Sequence, residues 1–213
     1  PLYAELQAMP NVDYVAGGAT QNSIRVGQWM KKMTGVEGTS SYFGCVVKDD
    51  NAAMMQKCCA DESVNAKYMV DESTPTGTCG VMVVDNDRSL CANLAAANNY
   101  KVDHTSEADN WAVVTGAKVI YSAGFFMTVS PEAIEKVSTH ATASDITYCF
   151  NLSAPFLMEV PPFKAVLDKT MPHVDYLFGN ETECATYAKV AGWEETKLED
   201  IALKLSQLPK EKG

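Results

Sequence analysis

Residues 119–132 read VIYSAGFFMTVSPE. A β-branched and aromatic run, Val119–Ala123, ends in Gly124 and two phenylalanines, and a helix pattern over Pro131–Thr142 then opens with Ser130 at its N-cap and Pro131 in its first turn. A strand that feeds a helix through a short turn is half of a βα unit. The same alternation extends outward. Downstream, strand-like runs at Ile146–Asn151 and Val174–Phe178 lead to helix patterns at Asn180–Ala191 and Thr196–Gln207; upstream, helix patterns at Thr20–Met33 and Asn51–Asp61 flank a strand at Tyr42–Val47. This order predicts an α/β protein built on a mostly parallel, doubly wound sheet.

One stretch breaks the alternation. Gly77–Val84 and Ser89–Leu94 are strand-like runs joined by Asp85, Asn86, Asp87 and Arg88, which predicts a hairpin. With Tyr68–Val70 it forms either a small antiparallel flap suited to covering a ligand or an ordinary sheet edge. Asn98–Asn110 is polar and is expected as a surface loop.

Composition narrows the function classes. The 213 residues are 46% apolar, enough for a sizeable core in one domain, and the formal charge of −10 opposes a broad grip on nucleic acid or anionic lipid. No apolar run approaches the length needed to span a bilayer, and residues 1–10 carry no signal-peptide pattern. Arg25 and Arg88 are the two arginines, so planar recognition of phosphate or carboxylate has few candidates. The seven cysteines are odd in number and lack CxxC spacing, which predicts reduced, buried thiols and a reducing cytoplasmic setting; the nucleus is a second expected location. The three histidines share no metal-like spacing. The chain opens on Pro1 and is expected to be a piece of a longer enzyme.

Three segments carry candidate chemistry. AGGATQNS (Ala16–Ser23) sets a glycine pair before a helix, where backbone can approach a ligand and free N–H groups meet electron-rich atoms; a plain glycine turn is the commoner explanation. It matches neither GxGxxG nor GxxxxGK[ST]. After the strands, Phe125 with Phe126 and, in NLSAPF (Asn151–Phe156), Phe156 lie where an open α/β sheet collects ligands, so a ring there either stacks on a base or packs in the core; one of Phe125 and Phe126 is expected in each role. In FGNETE (Phe178–Glu183), Asn180 and Glu183 share a helical face and form either a hydrated Mg²⁺ site, a helix-capping box, or both.

Taken in order, AGGATQNS, PTGTC, DRSLCANLAAAN, AGFFMTVSPE, NLSAPF and FGNETE resemble the nucleoside-phosphorylating branch of the ribokinase-like family of carbohydrate and nucleoside kinases, over about Ala16–Leu208. The resemblance implies a three-layer sandwich with a small β lid at about residues 66–95, residues 1–213 being part of one kinase domain. It implies transfer of the ATP γ-phosphate to the 5′-hydroxyl of adenosine to give AMP, with Mg²⁺, in a monomer. Gly17, Gly18 and Asn22 would hold the ribose hydroxyls, with Ala19 where many relatives have serine. Phe125 would stack on adenine, Phe156 would close its other side, and Cys79, Leu90, Ala92 and Leu94 would form the apolar wall. Arg88 would bring positive charge to the transferring phosphoryl group, and Asn180 with Glu183 would organise Mg²⁺ through water. The family's GAGD-type segment, source of the general-base aspartate and the anion hole, has no counterpart in these residues, nor has the early segment whose aspartate grips the ribose. The 213 residues alone are therefore expected not to catalyse. A different nucleoside or sugar acceptor, or a non-catalytic nucleoside-binding protein, are the competing expectations.

Overall fold

The computed structural model describes residues 2–211. The chain divides into two compact units, residues 1–100 and 101–213.

The second unit holds the parallel sheet that the opening stretch predicts. Strands β5 (Val119–Ala123), β6 (Thr147–Asn151) and β7 (Tyr176–Phe178) pair in parallel in the order β5-β6-β7. Central β6 shows the period-two burial of a strand, and Tyr148 and Phe150 are both fully buried with ring centroids 6.4 Å apart. They join Ile134 of α6 (Pro131–Ala143), Leu157 and Met158 of α7 (Phe156–Glu159), Leu167 of α8 (Pro161–Thr170) and Tyr187 of α9 (Glu181–Val190) in one core. Burying an apolar side chain of this size contributes roughly 1.5–3 kcal/mol, so this cluster fixes the sheet that carries the site.

One stretch, which begins in the first unit, differs from expectation. Asn98–Asn110 is mostly helical: a 3₁₀ turn at Ala95–Asn99, α4 (Val102–Ser106) and the start of α5 (Ala108–Thr115). These elements are only five, five and eight residues long, too short for a 3.6-residue apolar period to show, yet Thr105 and Asn110 are buried and Asn110 donates to the His104 carbonyl at 2.8 Å. Helix α8 begins at Pro161–Pro162, a pair that reads as a breaker but is tolerated in a first turn, where the missing N–H has no partner to lose. Helix α10 (Leu198–Ser206) closes the unit.

The first unit contains α1 (Leu2–Gln7), α2 (Ala19–Thr34), β1 (Ser41–Val46), α3 (Asp50–Asp61), β2 (Asn65–Val70), β3 (Thr78–Val84) and β4 (Asp87–Asn93). Its strands form a parallel β1–β2 pair and an antiparallel β3–β4 pair. The expectation that Tyr68–Val70 joins the hairpin is corrected: these residues belong to β2, with Tyr68 opposite Gly44 of β1 after a crossover through α3. The hairpin turn is also tighter than expected, because Val84 pairs with Asp87 and leaves only Asp85 and Asn86 between the strands. Asp85 takes φ 53°, the left-handed conformation such short turns demand. Arg88 is thus a strand residue. Leu94 is not one; it precedes the 3₁₀ turn in helical conformation.

The cysteine expectation is half right. All seven are free thiols, but only Cys45 and Cys59 are buried and Cys79 is exposed.

Candidate functional site

In the second unit the parallel register brings the ends of β5, β6 and β7 to one edge, since Ala123 pairs with Asn151 and Asn151 with Phe178. Segments leaving that edge are stitched together. The Ser153 hydroxyl accepts from the Gly124 N–H at 2.8 Å, the Ser153 N–H donates to Asn151 Oδ1 at 2.8 Å, and the Leu152 N–H donates to the Phe178 carbonyl at 2.9 Å. Gly124 cannot carry a side chain here, because a Cβ would lie 2.7 Å from the Leu152 carbonyl oxygen. This seam decides where the two phenylalanines go. Phe126 packs against the core, while Phe125 is 47% exposed, with its ring centroid 6.1 Å from that of Phe156, which is 41% exposed. Phe163 backs Phe156 edge-on at 6.1 Å. Two large rings kept at the surface on a rigid sheet edge offer a platform for a flat ligand.

Asn180 and Glu183 meet at the same edge, as a complete capping box. Asn180 Oδ1 accepts from the Glu183 N–H at 2.8 Å, and the Glu183 carboxylate accepts from the Asn180 N–H and Nδ2, each at 3.0 Å. Glu183 is 5% exposed. With the Asn180 oxygen and the buried Glu183 carboxylate already accepting these N–H bonds, the pair does not fit direct coordination of a cation. Among the described residues no cluster of three acidic, histidine or cysteine side chains could hold a metal.

In the first unit Gly17 and Gly18 lead into α2. Gly18 is its N-cap with φ 105° and ψ 125°, a region a Cβ disfavours. One turn on, Asn22 is exposed and Arg25 is bound on every side: Nε and Nη2 donate to the two oxygens of Glu62 at 2.6 Å each, and Nη1 donates to the Ala16 carbonyl at 3.1 Å and to Asn22 Oδ1 at 3.2 Å. Their ion pair raises the Arg25 pKa and lowers that of Glu62.

The hairpin sorts its residues by alternation. Cys79 pairs with Ala92, Val81 with Leu90 and Val83 with Arg88, so Cys79, Leu90, Ala92 and Arg88 share one face. The opposite face meets α1: Tyr3 donates to the Cys91 carbonyl at 2.8 Å, and a Cβ on Gly80 would lie 2.6 Å from Leu6 Cδ1. Leu90 is 61% exposed, and among the described residues Arg88 has no hydrogen bond or ion pair, unlike Arg25. Leu94 lies at the hairpin's root, its carbonyl oxygen 2.7 Å from where a Gly77 Cβ would be.

That root is braced by carboxylates that sequence reasoning missed. Asp49 Oδ1 accepts from the Ala52 N–H at 2.8 Å, capping α3, and Oδ2 accepts from the Thr76 N–H at 3.0 Å. Burial pushes the Asp49 pKa up, but these amides outweigh it and the net shift is downward. Asp71 accepts from the Ser73 N–H at 2.8 Å, the Thr74 N–H at 2.7 Å and Asn99 Nδ2 at 2.8 Å, which lower its pKa to about 2. The sequence signal was the Asx-turn pattern in Asp71–Pro75, DESTP.

A family model described as "pfkB family carbohydrate kinase" matches residues 2–212. The chain is 53% identical over all 213 residues to adenosine kinase 2 of Arabidopsis thaliana and 39% identical over 206 residues to adenosine kinase of Dictyostelium discoideum, covering 60% and 58% of those proteins. Among solved structures, Anopheles gambiae adenosine kinase in complex with P1,P4-di(adenosine-5) tetraphosphate superposes with a TM-score of 0.90 at 39% identity, over 100% of this chain and 62% of that one. Schistosoma mansoni adenosine kinase in complex with adenosine, in an occluded loop conformation, gives 0.89 at 30% identity, over 99% and 60%. The chain thus spans about 60% of the length of the curated relatives it matches. With the α/β fold, the strand-end aromatics and this match in agreement, the chain belongs to the pfkB family of carbohydrate kinases.

Proposed function

We propose that the protein to which this chain belongs is an adenosine kinase, transferring the ATP γ-phosphate to the 5′-hydroxyl of adenosine to give AMP. The observation that carries the reading is the exposed Phe125–Phe156 pair, held on the edge of the parallel sheet by the Ser153–Gly124 seam. A sugar acceptor has no flat ring to place against two phenyl faces; a nucleoside has. The relatives named adenosine kinase support the same acceptor.

In this reading each segment has a task. Phe125 stacks on adenine and Phe156 flanks it. Gly17, Gly18 and Asn22 bind the ribose hydroxyls, and Cys79, Leu90, Ala92 and Leu94 supply apolar wall. Arg88, uncommitted on its strand, neutralises charge on the transferring phosphoryl group; such charge compensation and positioning are most of what phosphoryl transfer needs. ATP is the co-substrate. Mg²⁺ accompanies it, and Asn180 and Glu183 would reach it only through water. The proton of the 5′-hydroxyl goes to a group outside these 213 residues. Residues 1–213 act as one piece of a kinase domain with the hairpin as its lid, in a cytoplasmic monomer.

The test is ATP-dependent phosphorylation by the complete gene product, offered adenosine, inosine and ribose separately. AMP formation with adenosine as the preferred acceptor is expected. Preference for ribose would replace the reading with a sugar kinase, and adenosine binding without turnover would replace it with a non-catalytic binding protein.

A further inference from the structure

We propose that Arg25 is a positioning residue for the ribose end of the acceptor, acting through Asn22 and the peptide before Gly17. The inference rests on the nucleoside-kinase reading and adds a specificity device to it.

The geometry is that of a clamp. Arg25 and Asn22 are three apart on α2, hence on one face. The guanidinium is anchored by a bidentate pair with Glu62, at the C-terminal end of α3, through Nε and Nη2 at 2.6 Å each. That anchoring leaves Nη1 aimed at two acceptors, the Ala16 carbonyl at 3.1 Å and Asn22 Oδ1 at 3.2 Å. Glu62 is itself tied down, its N–H donating to the Cys58 carbonyl at 3.3 Å.

Two donors are set by this arrangement. A carboxamide can present either oxygen or nitrogen in a given direction, but a guanidinium carries only donors and can pair only with the oxygen. Arg25 therefore selects the Asn22 orientation in which Nδ2 points away as a free donor. A trans peptide sets its C=O and N–H on opposite sides, so a carbonyl of Ala16 turned to Arg25 turns the Gly17 N–H the other way. Both donors lie in the segment that meets ribose hydroxyls, which as acceptors need donors oriented toward them. Lysine would keep the charge but not the fork, so it could not hold Glu62 with two bonds and still reach both oxygens.

The test uses the complete gene product and its Arg25→Lys and Glu62→Gln variants, with steady-state phosphorylation of adenosine, 2′-deoxyadenosine and 3′-deoxyadenosine. Arg25→Lys should lower kcat/KM for adenosine roughly 3–10-fold, the worth of one oriented hydrogen bond, mainly through KM. The deoxynucleoside lacking the hydroxyl that Asn22 addresses should fall less, so the preference for adenosine over it shrinks by the ratio of the two losses. Glu62→Gln, which loosens the anchor and keeps Arg25, should shift the ratio in the same direction by less, and decides the matter if Arg25→Lys does not fold. Equal losses on all three nucleosides, or unchanged ratios, would overturn the role of Arg25 while leaving the kinase reading intact. A wild-type protein that phosphorylates none of them would overturn both.

Discussion

The two units are held together by different forces. Residues 101–213 are organised around one apolar cluster from Met127 to Tyr187, in which Ile134, Phe150, Leu157 and Leu167 are fully buried. In residues 1–100 most of the large apolar side chains are exposed, including Trp29, Met33, Val83 and Leu90, while Gln21, Gln28 and Thr76 are buried. Here side chains form hydrogen bonds across elements, mostly to backbone. Gln28 Oε1 accepts from the Ser40 N–H at 2.7 Å, Gln21 accepts from the Tyr68 hydroxyl, Asp49 reaches Thr76 and Arg25 reaches Ala16. Burial is non-directional and sets volume; hydrogen bonds are directional and set orientation. The exposed Phe125–Phe156 pair belongs to the unit fixed by packing, and the Arg25–Asn22 contact to the unit fixed by directed bonds.

Paired substitutions sharpen that contrast. Phe150→Ala, which empties a fully buried position of the second unit, should cost about 3–5 kcal/mol in chemical denaturation. Thr76→Val keeps the shape but removes the acceptor of the Val47 N–H, now bonded at 3.1 Å, and should cost about 1–3 kcal/mol. Costs in the reverse order would break the distinction.

The smallest effect is on pH dependence. The folded Asp71 pKa of about 2 lies below its ordinary 3.8, so its contribution is complete above about pH 4 and fades as pH falls from 3.8 through 2. Thermal unfolding of wild type and Asp71→Asn between pH 5 and 2 should therefore differ most at the upper end and converge at the lower. A constant gap would remove Asp71 as a titrating brace.

The same division explains what was legible in the sequence. Val119–Ala123 and the helix from Pro131 were readable because period and capping chemistry are local, and the Asn180–Glu183 capping box was one of two readings that the residues themselves suggested. The ring positions followed from strand ends, which parallel sheets align. The partner of Tyr68–Val70 was not readable, since a strand of six residues pairs by tertiary contact with β1, twenty-four residues away. Arg25 was visible only as one of two arginines; its fork joins residues 9 and 37 positions distant, and no local pattern encodes that. Ser153, in the left-handed region at φ 66°, was passed over because its role is to hold the Gly124 N–H and not to react.

The most direct test of the central claim is calorimetric titration of adenosine into the complete gene product and into its Phe125→Ala variant. The exposed Phe125 ring should contribute to binding and little to folding, so the variant should remain folded and lose about 1–3 kcal/mol of adenosine affinity. Equal affinity in a folded variant would remove Phe125 from the nucleoside site and contradict the account.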